Sequence, residues 1–247
     1  MNIKGMQKTS LIDYPGKIAS VIFLGGCNLM CGFCHNADLV LSPEKIPDIP
    51  ERDLFTFLEK RKGVIEAVVI SGGEPLYSAN IELLIKKLKT GNFLVKVDTN
   101  GFYPGKLSDV INAGADYVAL DIKTSPSKYS KLTINGHNFD FIKNSLNILK
   151  DSGIDYEIRM TCVEGFCDND DIDEICFNIG CVKRLYLQQF VPDYTLNPAF
   201  AEIAPVSIER LKEIKEKLYS VCGDITIRGI TDDFPAIREF ASSSITI

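Results

Sequence analysis

The 247-residue chain contains no tryptophan and only two histidines. With so little imidazole available, a metal centre in it has to lean on sulfur. No stretch approaches the roughly 18 uninterrupted apolar residues of a membrane-spanning helix. Residues 1–8, Met-Asn-Ile-Lys-Gly-Met-Gln-Lys, also lack the apolar centre of a signal peptide, so a cytoplasmic protein without a membrane association is expected. Long blocks of like charge are missing too, and a net charge of -6 with a pI near 5.1 argues against a nucleic-acid-binding surface, which is usually basic. Repeats, low-complexity segments and Pro/Gly/Ser-rich linkers are absent. A single domain over 1–247 is therefore expected, with a core at about 11–230 and a C-terminal tail at 231–247. Eight cysteines are too sparse at this length for a disulfide scaffold, and a tight group of them in a cytosolic chain points to metal binding or catalysis.

Such a group is present. In Gly25-Gly26-Cys27-Asn28-Leu29-Met30-Cys31-Gly32-Phe33-Cys34-His35-Asn36, three cysteines fall within eight residues. Thiolates are the usual ligands of iron-sulfur clusters, and a glycine-containing loop lets closely spaced cysteines converge without strain. Zinc is the competing metal. A structural zinc site wants four ligands, and His35 is a candidate for the fourth. Three thiolates on a cubane cluster instead leave one iron open to a ligand that is not protein.

Strand signals alternate with helix signals along the rest of the chain. The β-branched run at 18–24 reads as a buried parallel strand, and further strands are predicted at 66–70, 93–97, 117–122, 155–161, 185–189 and 225–230. Asp48-Ile49-Pro50-Glu51 has the form of a capping box before a helix with Leu54, Phe55 and Leu58 on its apolar face. Ile81, Leu84, Ile85 and Leu88 mark the next helix, and others are predicted at 107–113, 170–178 and 208–218. A helix carrying Phe141, Ser145, Ile148 and Leu149 should stop at Ser152-Gly153. Seven strands with intervening helices are one short of a closed eight-fold barrel, and periodicity alone fits a doubly wound sheet nearly as well as an open barrel.

Polar residues cluster at the C-terminal ends of these strands. They are Ser71-Gly72-Gly73-Glu74-Pro75, Asp98-Thr99-Asn100-Gly101 and Asp121-Ile122-Lys123, then Arg159 inside an apolar strand, Gln188-Gln189 and Arg228. Taken singly, the first two are ordinary turn or cap signals, and the charges are strand-end ion pairs. Arg159 is different, because a charge in an apolar strand must find a partner or a wet cavity.

The CxxxCxxC spacing, with an aromatic before the last cysteine, resembles the cluster motif of the radical S-adenosylmethionine (SAM) superfamily. With Leu11-Ile12-Asp13-Tyr14-Pro15-Gly16 and His35-Asn36, the chain is most similar to activating enzymes of glycyl-radical proteins, and within them to the anaerobic ribonucleotide reductase activating proteins. The resemblance covers about 11–229 and decides the fold for an α/β, partial (open) β/α barrel of the radical SAM type. It implies a [4Fe-4S] cluster on Cys27, Cys31 and Cys34, with the fourth iron chelated by the amino and carboxylate groups of SAM. It further implies that Gly72, Gly73 and Glu74 hold the methionyl amino group. Asp98 and Thr99, followed by Asn100, would form the carboxylate region, with a monovalent cation near Asp98, Thr99 and Asp121. Lys123 would contact SAM, and Arg159 would lie near its ribose and carboxylate. Gln189 falls where related formate-lyase activases carry a ligand-binding histidine, and Phe33 and His35 would pack beside the cofactor.

The implied activity is reductive SAM cleavage followed by removal of a glycine Cα hydrogen in a partner enzyme. The implied partners are a glycyl-radical enzyme and a flavodoxin- or ferredoxin-type electron donor, in an anaerobic setting. Alternatives are an activase of a pyruvate formate-lyase-like enzyme, a small-molecule enzyme resembling the deazapurine synthases, and a non-catalytic metal module. Cys162, Cys167, Cys176 and Cys181 are spaced too loosely for the same treatment and are expected to pack rather than bind a second cluster. His137 and Cys222 are expected to be structural. Arg228 is open between facing substrate and making an ion pair.

Overall fold

The computed structural model describes residues 2–133 and 138–230; His137 and the tail at 231–247 lie outside them. Eight strands form one sheet in chain order: β1 (Ile3–Ser10), β2 (Ala19–Leu24), β3 (Ala67–Gly72), β4 (Leu94–Thr99), β5 (Tyr117–Ile122), β6 (Asp155–Cys162), β7 (Leu185–Gln189) and β8 (Ile225–Arg228). Strands β2 to β8 run parallel and β1 is antiparallel to β2. β1 and β8 stand at opposite ends of the order, so the sheet does not close. It curls nonetheless: Tyr14, in the β1–β2 connection, packs its ring 5.8 Å from that of Tyr117 on β5.

β1 escapes the sequence reading because Ile3-Lys4-Gly5-Met6-Gln7-Lys8-Thr9-Ser10 is a mostly polar edge strand, with only its two end residues buried. Polar edge strands carry no apolar signal. The inner strands are buried on both faces. Ile22, Leu24, Val68, Ile70, Val95, Val97, Val118, Leu120, Ile158 and Met160 lie on the outer face, in the main core under the helices. The smaller Ala19, Val21, Ala67 and Val69 pack around Tyr14 and Tyr117 on the inner face.

The helices are α1 (Ala37–Leu41), α2 (Glu51–Lys60), α3 (Ile81–Thr90), α4 (Pro104–Asn112), α5 (Asp140–Ser152), α6 (Asn169–Ile179) and α7 (Ile208–Leu218). Two local expectations change. α2 has no capping box: Pro50 is its N-cap, without a side-chain bond, and Asp48 is drawn instead to the Lys4 ammonium at 2.8 Å. α5 buries Ile142, Ser145, Leu146 and Leu149, whereas Phe141 is exposed, so its apolar face is turned by one residue from the one expected. Its end is as expected, with Gly153 in the left-handed conformation at φ 74°. A capping box does occur on α6, between Asp168 and Asp171.

The ends of β2 and β3 are clamped together. Gly73 N donates to Leu24 O at 2.9 Å and Glu74 N to Gly26 O at 2.9 Å. A Cβ at Gly73 would stand 2.1 Å from Gly26 O, and one at Gly72, where φ is +123°, would stand 2.3 Å from Leu24 O. Only glycine fits at these two positions: Gly72 admits the backbone at the end of β2, and Gly73 that of the cysteine loop. Gly73→Ala is therefore expected to lower unfolding stability by about 3 kcal/mol or more. Gly105→Ala in α4, where a Cβ meets nothing within 4 Å, should instead raise it by up to about 1 kcal/mol. Urea titration of the two variants measures both shifts.

Candidate active site at the strand ends

The cysteine loop leaves β2 and is held from three sides. Gly26 N bonds Leu39 O (2.8 Å), Met30 N bonds Leu132 O (2.8 Å), and Leu196 N and Asn197 N bond Cys34 O and Gly32 O (both 2.9 Å). Phe33 is buried in an aromatic nest, with ring centroids of Phe166, Phe200 and Phe190 at 5.5, 5.9 and 6.4 Å. Phe200 also lies across Gly32, where a Cβ would come within 2.4 Å of its ring. His35 turns away from the thiols: Nε2 is 2.9 Å from Val191 O and the ring stacks on Phe190. That leaves three sulfurs.

Cys31 is buried and Cys27 and Cys34 are half-buried, and all three are free thiols. Burial, followed by the nearby Glu74 carboxylate, pushes Cys27 up to about 12, and burial does the same for Cys31; Cys34 is raised by burial too. Thiolates in such a place need a bound cation to hold their charge. Among the described residues no group of three or more His, Cys, Asp or Glu stands close enough to grip a lone metal ion. A cluster, whose own irons and sulfides span the loop, suits this all-sulfur donor set.

The next strand end is tied to this loop. Asn36 Nδ2 donates to Gly72 O (2.8 Å), and Asn100 Nδ2 reaches Asn28 Oδ1 (2.8 Å) and the Cys27 sulfur (3.9 Å). The Glu74 carboxylate is fully buried and accepts from Leu76 N (2.9 Å), Thr99 Oγ1 (2.8 Å) and Asn100 N (2.7 Å). Burial outweighs those donors and raises its carboxyl to about 7. The side chain of Glu74 thus fastens the end of β3 to that of β4, while Gly73 lies beside Cys27.

Farther round the inner face the charges alternate in sign. Lys123 Nζ is 2.9 Å from Asp121 Oδ2, Arg159 Nε is 2.7 Å from Asp121 Oδ1, and Arg159 Nη1 is 3.2 Å from Asp98 Oδ2. Lys96 Nζ continues the chain, 3.4 Å from both Asp98 Oδ1 and Glu157 Oε1. Burial works against ionising Asp121, but Arg159 and Lys123 more than offset it and hold the carboxyl well below the usual range. Asp121 in turn overcomes the burial of Lys123, whose ammonium is raised to about 12, and that of Arg159, which is raised also. Lys96 and Glu157 are the members that the sequence reading missed. Each is a charge flanked by buried apolar strand neighbours, the same signal that singled out Arg159.

Strand parity separates the last candidates. Gln188 registers with Thr161 and Arg228 on the inner face. Gln189 registers with the fully buried Cys162 on the helix side and donates from Nε2 to Val206 O at 2.7 Å. The inward position at that level is therefore Gln188. Arg228 stacks over the Tyr186 ring at 3.3 Å, and no ion pair joins it to another of the described residues. The remaining cysteines do not converge: Cys162 and Cys167 are buried side by side, Cys176 reaches toward Lys217 O, Cys222 is buried beside Asp224 O, and Cys181 is exposed.

The family model of the radical SAM superfamily matches residues 21–176, which take in most of β2, the cysteine loop and the parallel strands β3 to β6. A Methanocaldococcus jannaschii protein named as a glycyl-radical enzyme activating enzyme is 30% identical over 238 residues, covering 94% of this chain and 98% of the relative. This chain is a radical SAM protein of the glycyl-radical activating enzyme family. The pyruvate formate-lyase-activating enzyme of Clostridium pasteurianum is 28% identical over 78% of the chain and 82% of its own length. In fold, the chain is similar to Streptococcus suis SuiB, solved bound to SAM, with a TM-score of 0.63 and 18% identity over 85% of the chain and 50% of SuiB. Radical SAM enzymes use a [4Fe-4S] cluster and SAM, and glycyl-radical activating enzymes act on a protein substrate. No helix among the described residues is long and apolar enough to cross a membrane.

Two outcomes are expected of the radical SAM site. After anaerobic reconstitution, Cys27→Ala, Cys31→Ala and Cys34→Ala should each lose most of the iron and sulfide found in the parent protein, whereas Cys162→Ala should keep both; metal and sulfide analysis decides. Because the folded-state pKa of Asp121 is depressed, its stabilisation is complete above the unfolded value near 4 and is lost as pH falls further. Asp121→Asn should therefore cost about 3–5 kcal/mol at pH 7, and the gap to the parent should narrow as pH falls below about 4. Urea unfolding across that range measures it.

Proposed function

We propose that the protein installs a glycyl radical in an anaerobic ribonucleotide reductase, working in the cytoplasm as one domain and drawing its electron from a flavodoxin- or ferredoxin-type donor. The observation that carries the reading is the meeting of three free thiols on one loop with polar groups from the next three strand ends, on the inner face of a sheet left open between β1 and β8. Active sites of β/α barrels are built at these ends. The choice of reductase rests on Leu11-Ile12-Asp13-Tyr14-Pro15-Gly16 and on the short segment between Cys34 and Gly72, which has room for α1 and α2 but not for an inserted cluster domain.

In this reading Cys27, Cys31 and Cys34 hold the cluster, and the backbone of Gly72 and Gly73 receives the amino group of SAM. When bound, the reduced cluster and SAM together supply one-electron cleavage of a carbon–sulfur bond and a radical able to remove a glycine Cα hydrogen. The chain supplies position. Lys123 and Arg159 stay charged beside Asp121 and Asp98, and so offer cations to a carboxylate and anions to an amino group or sulfonium. Glu74 joins the glycine turn to Thr99 and Asn100. Phe33 anchors the loop from behind, and Gln188, rather than Gln189, is the side chain on the inward row. At the base of the inner face Ala19, Val21, Ala67 and Val69 are buried against the Tyr14 and Tyr117 rings.

Reconstituted, reduced protein incubated with SAM and the anaerobic reductase should give a glycyl doublet in the electron paramagnetic resonance spectrum. SAM cleavage without that doublet contradicts the partner assignment. A relative of another kind, a Methanocaldococcus jannaschii protein named as a GTP 3',8-cyclase and 28% identical over 77% of this chain, makes productive SAM cleavage with no protein present the outcome that favours a small-molecule substrate.

A further inference from the structure

The groups expected to frame a monovalent cation, Asp98, Thr99 and Asp121, are already engaged by the protein itself. Thr99 Oγ1 donates to Glu74 at 2.8 Å and accepts from Gly101 N at 3.1 Å. Both oxygens of Asp121 are taken by Arg159 and Lys123, and Asp98 Oδ2 by Arg159. The remaining oxygen, Asp98 Oδ1, is buried and has no hydrogen bond; the charge facing it is the Lys96 ammonium, 3.4 Å away.

Lys96 is built as an internal counter-ion. Its side chain is 3% exposed. Besides Asp98 it faces Glu157 Oε1, the other buried carboxylate oxygen on this face without a hydrogen bond, also at 3.4 Å. It donates to Asp13 O at 2.6 Å and lies 5.8 Å from the centre of the Tyr117 ring. Carbonyl oxygen, two carboxylate oxygens and an aromatic face are what a small monovalent cation seeks. The charges also balance. Lys96, Arg159 and Lys123 oppose Asp98, Asp121 and Glu157, three against three, so each carboxylate of this row already faces a cation of the chain.

We propose that the Lys96 ammonium takes the place of a bound monovalent cation in this protein, and that Lys96 is a positioning residue that orients Asp98, and through it Arg159, toward SAM. The SAM half of the statement rests on the function proposed above. The counter-ion half does not.

The test uses reconstituted, unreduced holoenzyme in buffers of equal ionic strength, containing either potassium or the bulky tetramethylammonium ion. Wild-type SAM affinity, measured by equilibrium dialysis, should be the same within about twofold in the two buffers. Lys96→Met should bind SAM about tenfold or more weakly in tetramethylammonium and recover in potassium or ammonium. Lys96→Arg should stay near wild type. The same pattern is expected without SAM, in the melting temperature: Lys96→Met should be lowered, and raised again by potassium or ammonium but not by tetramethylammonium. Cation-selective rescue is a readout that lost packing alone would not produce. A wild-type SAM affinity that falls about tenfold when potassium is withdrawn overturns the proposal, as does a Lys96→Met protein whose melting temperature ignores the cation. Should Lys96→Met fail to fold, Lys96→Gln and the wild-type comparison decide in the same way. Loss of SAM binding by every form, with cation-selective rescue of melting intact, would overturn the functional reading and the orienting role together while leaving the counter-ion in place.

Discussion

Six charged side chains share the inner face of one curled sheet, and the site depends on their alternation. Glu157, Lys96, Asp98, Arg159, Asp121 and Lys123 follow one another in sign, each within 3.4 Å of the next. Any one of them alone would be costly to bury, and a sheet face of plain hydrophobic residues would be cheaper. What the chain gains is a row of charges whose protonation is fixed: Asp121 is held ionised, and Lys123 and Arg159 are held protonated. A ligand carrying both signs of charge meets a surface that does not have to reorganise to receive it.

The second constraint is steric. The glycines of the Gly72-Gly73-Glu74-Pro75 turn are needed because the end of β2 passes against the first and the cysteine loop against the second, and Gly32 is needed because Phe200 lies on it. Glu74, placed at this junction, gives its carboxylate to three donors from its own turn and from β4. Loop, turn and strand end are thereby assembled as one body before any cofactor arrives. The aromatic nest around Phe33 fixes the far side of the loop in the same way.

Much of this was legible in the sequence because it rests on local patterns. The seven parallel strands are apolar and β-branched, and each lies where the periodicity puts it, within about three residues at its ends. The cysteine spacing and the strand-end motifs are contiguous and needed no tertiary information. What stayed hidden depends on neighbours distant in the chain. β1 is polar because it is an edge, so its pairing with β2 leaves no apolar trace. Phe141 and Ile142 differ in burial although both fit a helical stripe, because the direction of the face is set by what α5 packs against. Gln188 and Gln189 are adjacent, and only register tells which of them points inward. Lys96 was readable in principle, as a charge between Val95 and Val97, but its partners come from β6 and from the β1–β2 connection.

The proposed function requires three thiolates to hold a cluster whose remaining iron is open to SAM beside this ladder of charges. Electron–nuclear double resonance of the reduced, reconstituted protein with SAM labelled by nitrogen-15 at its amino group tests it most directly. A nitrogen-15 coupling to the cluster electron spin is the result expected. A cluster whose spectrum shows no such coupling with SAM at saturating concentration would contradict the account.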